Sequence, residues 1–130
     1  MKLSQIDYST KEAKEFELLD PITNLPFETP VKISLYFHDS RHGKRTLAEA
    51  QLEVLEYMQK NNVQEVPESV LEEINIKRLS KLIAGWSGIE DEKGKPLKYN
   101  EKNALLVLEN DIIFNFVTEK ASNLGNFLKE

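Results

Sequence analysis

Residues Val31-Lys32-Ile33-Ser34-Leu35-Tyr36-Phe37-His38 alternate apolar and polar side chains without a break, the period of a β-strand. Val31, Ile33, Leu35 and Phe37 fall on one face, and Lys32, Ser34, Tyr36 and His38 on the other. A strand with one apolar and one polar face belongs in an antiparallel sheet that packs on one side only. Its partner lies just upstream. Phe16-Glu17-Leu18-Leu19-Asp20 reads as a short strand, and Pro21-Ile22-Thr23-Asn24-Leu25-Pro26 has the Pro and Asn content of a turn. Residues 16–38 are therefore predicted to form a β-hairpin, with residues 1–15 a loose arm.

The rest of the chain has a helical period. Asp39 to Arg45 is polar and predicted to be a connection, after which Thr46-Leu47-Ala48-Glu49 has the form of a capping box. Ala48, Leu52, Leu55 and Met58 make the apolar stripe of the helix it would start. A second helix is expected from Pro67–Ser69, with Val70, Leu71, Ile74, Leu79, Leu82 and Ile83 as its apolar positions. The polar run around Asn75, Lys77 and Arg78 suggests a kink, and Gly85 a stop. Asn100 and then Asn110-Asp111 are positioned to cap two further helices. The last of these aligns Ile113, Phe116, Val117, Ala121, Leu124 and Leu128. The fold class expected is α+β: a small N-terminal antiparallel β-hairpin or sheet packed on a mainly helical C-terminal part, joined through a Trp- and Gly-containing turn segment. A chain of 130 residues suits a single domain over 1–130, with a hinge near 61–67 as an open alternative.

Composition narrows the chemistry. Net charge is −5, from 17 basic and 22 acidic residues, and no basic stripe is visible, which argues against nucleic acid as a partner. Cysteine is absent, so disulfides, thiolate nucleophiles and Cys-ligated zinc are excluded. No apolar run approaches the roughly 20 residues that span a bilayer, nor does the N-terminus have the apolar core of a signal peptide. A cytoplasmic location without membrane contact is the expectation.

Candidate reactive sets fail on geometry. His38-Asp39-Ser40 has the residue types of a hydrolase triad, but sequence neighbours seldom converge as a triad must. His38 and His42 have metal-ligand spacing only on a helix, a weak premise at the end of a strand with Gly43 close behind. Asp91-Glu92-Lys93-Gly94 has the look of a calcium loop, yet the register puts Ile89 at the first ligand position and Asn100 at the last. A tight turn with Gly94 at positive φ fits better. Gly85-Trp86-Ser87-Gly88 lacks the spacing and lysine of a phosphate loop. No catalytic residue, cofactor or metal is expected, and the chain reads as non-enzymatic.

The stretch from Gly85 carries a family likeness. Trp86-Ser87-Gly88, Asp91-Glu92-Lys93-Gly94-Lys95-Pro96, Tyr99 and a capped helix with Leu105-Leu106 stand in the places of the W-x-G segment, acidic D-x-x-G-x-P turn, aromatic and Leu pair of the tail assembly chaperones of long-tailed bacteriophages, which this chain resembles. Phe16 to Asn24 is similar to a strand ending in that group's Pro-x-Thr-Gly turn, with Asn24 where Gly is commoner. The resemblance implies a chaperone in the host bacterial cytoplasm. It would bind the tape-measure protein, assist tail-tube polymerisation, and be absent from the finished particle. The partners implied are the tape-measure and tail-tube proteins, with self-association left open. Trp86, Ile113, Phe116, Val117 and Leu124 are the expected contact residues, drawn from the Trp86 region and the last helix. Another phage structural or head–tail completion protein is the main alternative, and a host-directed inhibitor or small enzyme a more distant one.

Overall fold

The computed structural model describes residues 13–127. Strand β1 (Lys14–Leu19) and strand β2 (Pro26–Leu35) form the expected hairpin. At its tip the Asp20 carboxylate accepts from the Ile22 and Thr23 amides, and Asn24 takes the left-handed conformation at φ 57°. Lys14 and Glu15, expected in a loose arm, are paired strand residues; residues 1–12 of that arm lie outside the described residues.

Several boundaries differ from the sequence expectation, among them the end of β2 at Leu35 where the alternation ran to His38. First, β2 starts at Pro26, because Pro26 pairs with Leu19 across an irregularity in the register. The prolines at 26 and 30 lie outside the part of β2 that pairs on both sides, where an amide donor would be missed. Second, helix α1 (Arg41–Asn61) begins five residues before Thr46. Ser40 is its cap: the hydroxyl accepts from the Gly43 amide at 3.0 Å and donates to the Phe37 carbonyl at 2.7 Å. Gly43 permits this tight entry, since a Cβ there would stand 2.1 Å from the His38 carbonyl oxygen. Thr46 is then an interior helical residue, buried, with its hydroxyl on the Gly43 carbonyl.

Third, helix α2 (Glu68–Leu82) is continuous through Asn75, Lys77 and Arg78 and leads directly into a third strand, β3 (Ile83–Ser87). Two of the polar residues expected to kink α2, Lys77 and Arg78, instead face α1. Lys77 pairs with Glu53, Lys81 with Glu49, and Arg78 donates to Thr46 Oγ1 and the His38 carbonyl. Ile83 and Gly85, read as the end of a helix and its stop, are strand residues opposite Leu35 and Ser34. The sheet is antiparallel with order β1-β2-β3.

A turn closed by the Asp91 amide on the Lys95 carbonyl follows, with Gly94 at φ 79° as expected. Helices α3 (Glu101–Val107) and α4 (Asp111–Ser122) start at the expected caps, where the Asn100 and Asn110 side chains accept backbone amides. A 3-10 turn, Leu124–Phe127, replaces the continued final helix; Leu128 of the expected stripe lies outside the described residues.

One core unites these elements. Ile33 and Leu35 of β2 and Val117 of α4 have no exposed surface, and Leu79, Leu82, Val107, Leu108 and Phe116 surround them. The His38 amide donates to the Ala121 carbonyl, which ties the end of β2 to α4. The chain is thus α+β, with helices against one face of a three-stranded antiparallel sheet. The tight turn at Gly43 yields a test. Gly43→Ala should destabilise by about 1–3 kcal/mol despite the better helix propensity of Ala, because the new methyl meets backbone. Gly85→Ala, with nothing within 4 Å of its Cβ, should stay within about 0.5 kcal/mol in urea denaturation.

Candidate partner-binding surface

The residues expected to contact a partner divide into two sets. Phe116 and Val117 are core residues of α4: Val117 is wholly enclosed and Phe116 nearly so. Their stripe is used internally, so in this structure they do not form part of an open surface. Ile113 and Trp86 are half-buried and pack against that core from its margin. Leu124 opens the 3-10 turn after α4.

Trp86 is held by two contacts. Its indole N–H donates to the Leu97 carbonyl at 2.8 Å, and its ring meets Tyr99 edge-on, with centroids 5.1 Å apart. The Tyr99 hydroxyl donates to the Ile83 carbonyl, and burial raises its pKa above the ordinary tyrosine value. The turn between β3 and α3 is thereby folded back onto the sheet, with Gly88 (φ 82°) close against the Pro30 carbonyl. Polar anchoring and an aromatic pair make this an ordered platform.

Sequence reasoning missed which leucines remain outside. At the corner between α3 and α4, Leu106 is 53% and Ile112 47% exposed, next to half-buried Leu105 and Ile113. On α1 the expected apolar stripe points away from the core, with Leu52 54% and Leu55 52% exposed. The signal was available in Thr46, Ala50 and Glu53, whose 3–4 spacing marks the side of α1 that lines its cleft with α2. Ile22 and Leu25 project from the hairpin tip.

The reactive sets considered above do not assemble. His42 Nε2 lies 2.7 Å from the Lys81 carbonyl, which requires a proton on that nitrogen, and its ring stacks on Tyr36. The His38 ring meets Phe37 edge-on. Among the described residues no group of three His, Asp or Glu side chains is placed to hold a metal ion. The α1–α2 cleft, lined by Thr46, Glu53, Lys77, Arg78 and Lys81, is filled by these side chains and encloses nothing near the roughly 300 Å³ at which small-molecule sites begin. Burial lowers the pKa of Arg78, the one cation in that lining without an ion pair there. Among the described residues no helix is long and apolar enough to cross a membrane.

A family model covers the helical part of the chain, and it describes a class of protein carried by bacterial viruses integrated in a host genome. The model of the YdaY prophage protein family matches residues 41–130, from the first residue of α1 onward, and the chain belongs to that family. No curated protein and no solved structure matches the chain.

Two predictions follow from the placement of these side chains. Val117→Asp should abolish cooperative unfolding, since it puts a carboxylate in an enclosed apolar site, whereas Leu106→Asp should shift the denaturation midpoint little. The second concerns pH. The hydrogen bond from Lys81 holds the Glu49 carboxyl below its ordinary pKa of 4.5. Its contribution is complete above that value and is lost as pH falls through the lowered one. Glu49→Gln should therefore lower the melting temperature slightly at neutral pH, and the gap to the wild type should close in strong acid.

Proposed function

We propose that this prophage protein is a non-enzymatic tail assembly chaperone of the host cytoplasm, binding the tape-measure protein through the corner between α3 and α4. The observation that carries the reading is that Leu106 and Ile112, on either side of the turn joining α3 to α4, stay about half exposed, while Trp86 and Tyr99 upstream are held by hydrogen bonds and by each other. Leu106 belongs to the stretch whose residues resemble that chaperone group; Ile112, on α4, lies just past it. A tape-measure protein is a long helical chain with repeated apolar stripes, and shielding such stripes takes complementary apolar surface with a polar rim. Leu106 and Ile112 offer the surface, and Lys102, Glu109 and Asp111 stand exposed around them. The acidic balance of the chain supports solubility of such a complex. The contact expected from Phe116, Val117 and Ile113 is accordingly moved outward: Phe116 and Val117 support the corner from beneath, and Ile113 borders it.

Tail-tube subunits would be recruited around the chaperone-bound tape measure, with the chaperone released before the particle is complete. A virion component, such as a head–tail completion protein, would instead remain. The test is co-expression with the tape-measure protein encoded in the same prophage. Leu106→Asp/Ile112→Asp should keep the wild-type circular dichroism and melting curve and lose co-purification at least tenfold. Undiminished capture by the folded double variant, or recovery of this chain from purified particles, would overturn the proposal.

A further inference from the structure

We infer that the open face of α1 is a contact between two copies of this chain, with the two α1 helices antiparallel. Helix α1 is 21 residues long, and its main packing partner is α2. At 100° per residue, Leu47, Ala48, Gln51, Leu52 and Leu55 share one arc, away from the Thr46 and Glu53 side that lines the cleft with α2. Leu47, Leu52 and Leu55 each keep two-fifths or more of their surface exposed. Single exposed leucines are ordinary, but three on one arc are a patch. The two acids within the span, Glu49 and Glu53, turn to α2, where Lys81 and Lys77 take them up at 2.6 Å. From Leu47 to Leu55 the open arc carries no charge.

Charge at the two ends of this arc identifies the occupant. Arg41, Lys44 and Arg45 precede the leucines, and the first turn of α1 contains no acid. Three cations thus sit at the positive end of the helix dipole, where anions are favoured. Past the leucines stand Glu56 and the negative end of the dipole; Lys60 falls about 140° around the helix from Leu55. A parallel copy would set cations against cations. An antiparallel copy brings Glu56 and the C-terminal half of one α1 beside Arg41, Lys44 and Arg45 of the other, while the leucine arcs meet in the middle. The face is self-complementary under a two-fold axis, as a closed dimer requires.

Light scattering on the full chain across a concentration series should give twice the 15.0 kDa chain mass. Leu52→Asp/Leu55→Asp should give the single-chain mass with an unchanged circular dichroism spectrum. Arg45→Glu and Glu56→Arg should each weaken the dimer at least tenfold, and the two together should restore it, so a second arm stands if the leucine variant misfolds. Because the chain has no cysteine, direction can be read from single reporters. Lys44→Cys mixed with Gln59→Cys should form the mixed disulfide, and Lys44→Cys alone should not cross-link. A wild type that is monomeric throughout, a dimer that survives the leucine variant, an unrestored charge pair, or self-cross-linking of Lys44→Cys would each overturn the inference. The residues differ from those of the α3–α4 corner, so loss of tape-measure capture and loss of the dimer are separate outcomes.

Discussion

Ile33 is the residue around which the molecule closes. It lies in the middle strand opposite Phe16 on one side and Trp86 on the other, and it has no exposed surface. This row crosses the whole sheet. Beneath it and its neighbour Leu35 lie α2 and α4, so the sheet and the helices share one apolar layer. An all-helical packing would leave Ile33 and Leu35 without cover on the strand's hydrogen-bonding edges. The hairpin alone would leave their side chains in water. Strand β3 supplies the second edge and carries Trp86 into the row, and α2 and α4 cover the side chains.

The way α1 leaves β2 depends on the same strand. Only five residues separate Leu35 from the start of α1, and in that space the chain must turn and satisfy the first helical amides. Ser40 and Gly43 do this jointly, one through its hydroxyl and the other through having no side chain. The helix then runs outward along α2, with two exposed ion pairs across the seam. Such pairs contribute little individually; the seam is oriented by them more than it is stabilised.

Much of the fold was legible in the sequence. Alternation identified β2 and its buried face, the Pro and Asn content of Pro21 to Pro26 marked the hairpin turn, and Asn100 and Asn110 marked two helix starts. What was not legible has physical causes. Thr46–Glu49 matches a capping box, but Ser40 lies nearer the strand and already had the hydroxyl needed. Ile83 to Ser87 is too short to show a strand period, and Gly85 reads as a helix stop when a neighbouring strand is out of view. The α1 stripe was visible, but its side was not: apolar spacing tells that residues share a face, and only Glu49, Glu53 and Thr46 finding partners on α2 shows which face is covered. For the candidate surface, Trp86 and Ile113 were placed at the margin of the core. Phe116 and Val117 were not separable from surface residues by periodicity alone, because a core stripe and a docking stripe look the same in one dimension.

Phe127 carries a consequence for the order in which the molecule is completed. Its ring meets Phe16 at 5.6 Å and Phe37 at 5.3 Å, and it is almost wholly enclosed. The first strand and the last described residue are therefore neighbours in space while being as far apart in the chain as the described residues allow. Contacts of such separation form late. During synthesis, Phe16 of β1 and Phe37 just past β2 would wait uncovered until Phe127 emerges. A growing chain of this kind stays adhesive along one side until a single aromatic ring, made long after the strands, reaches it.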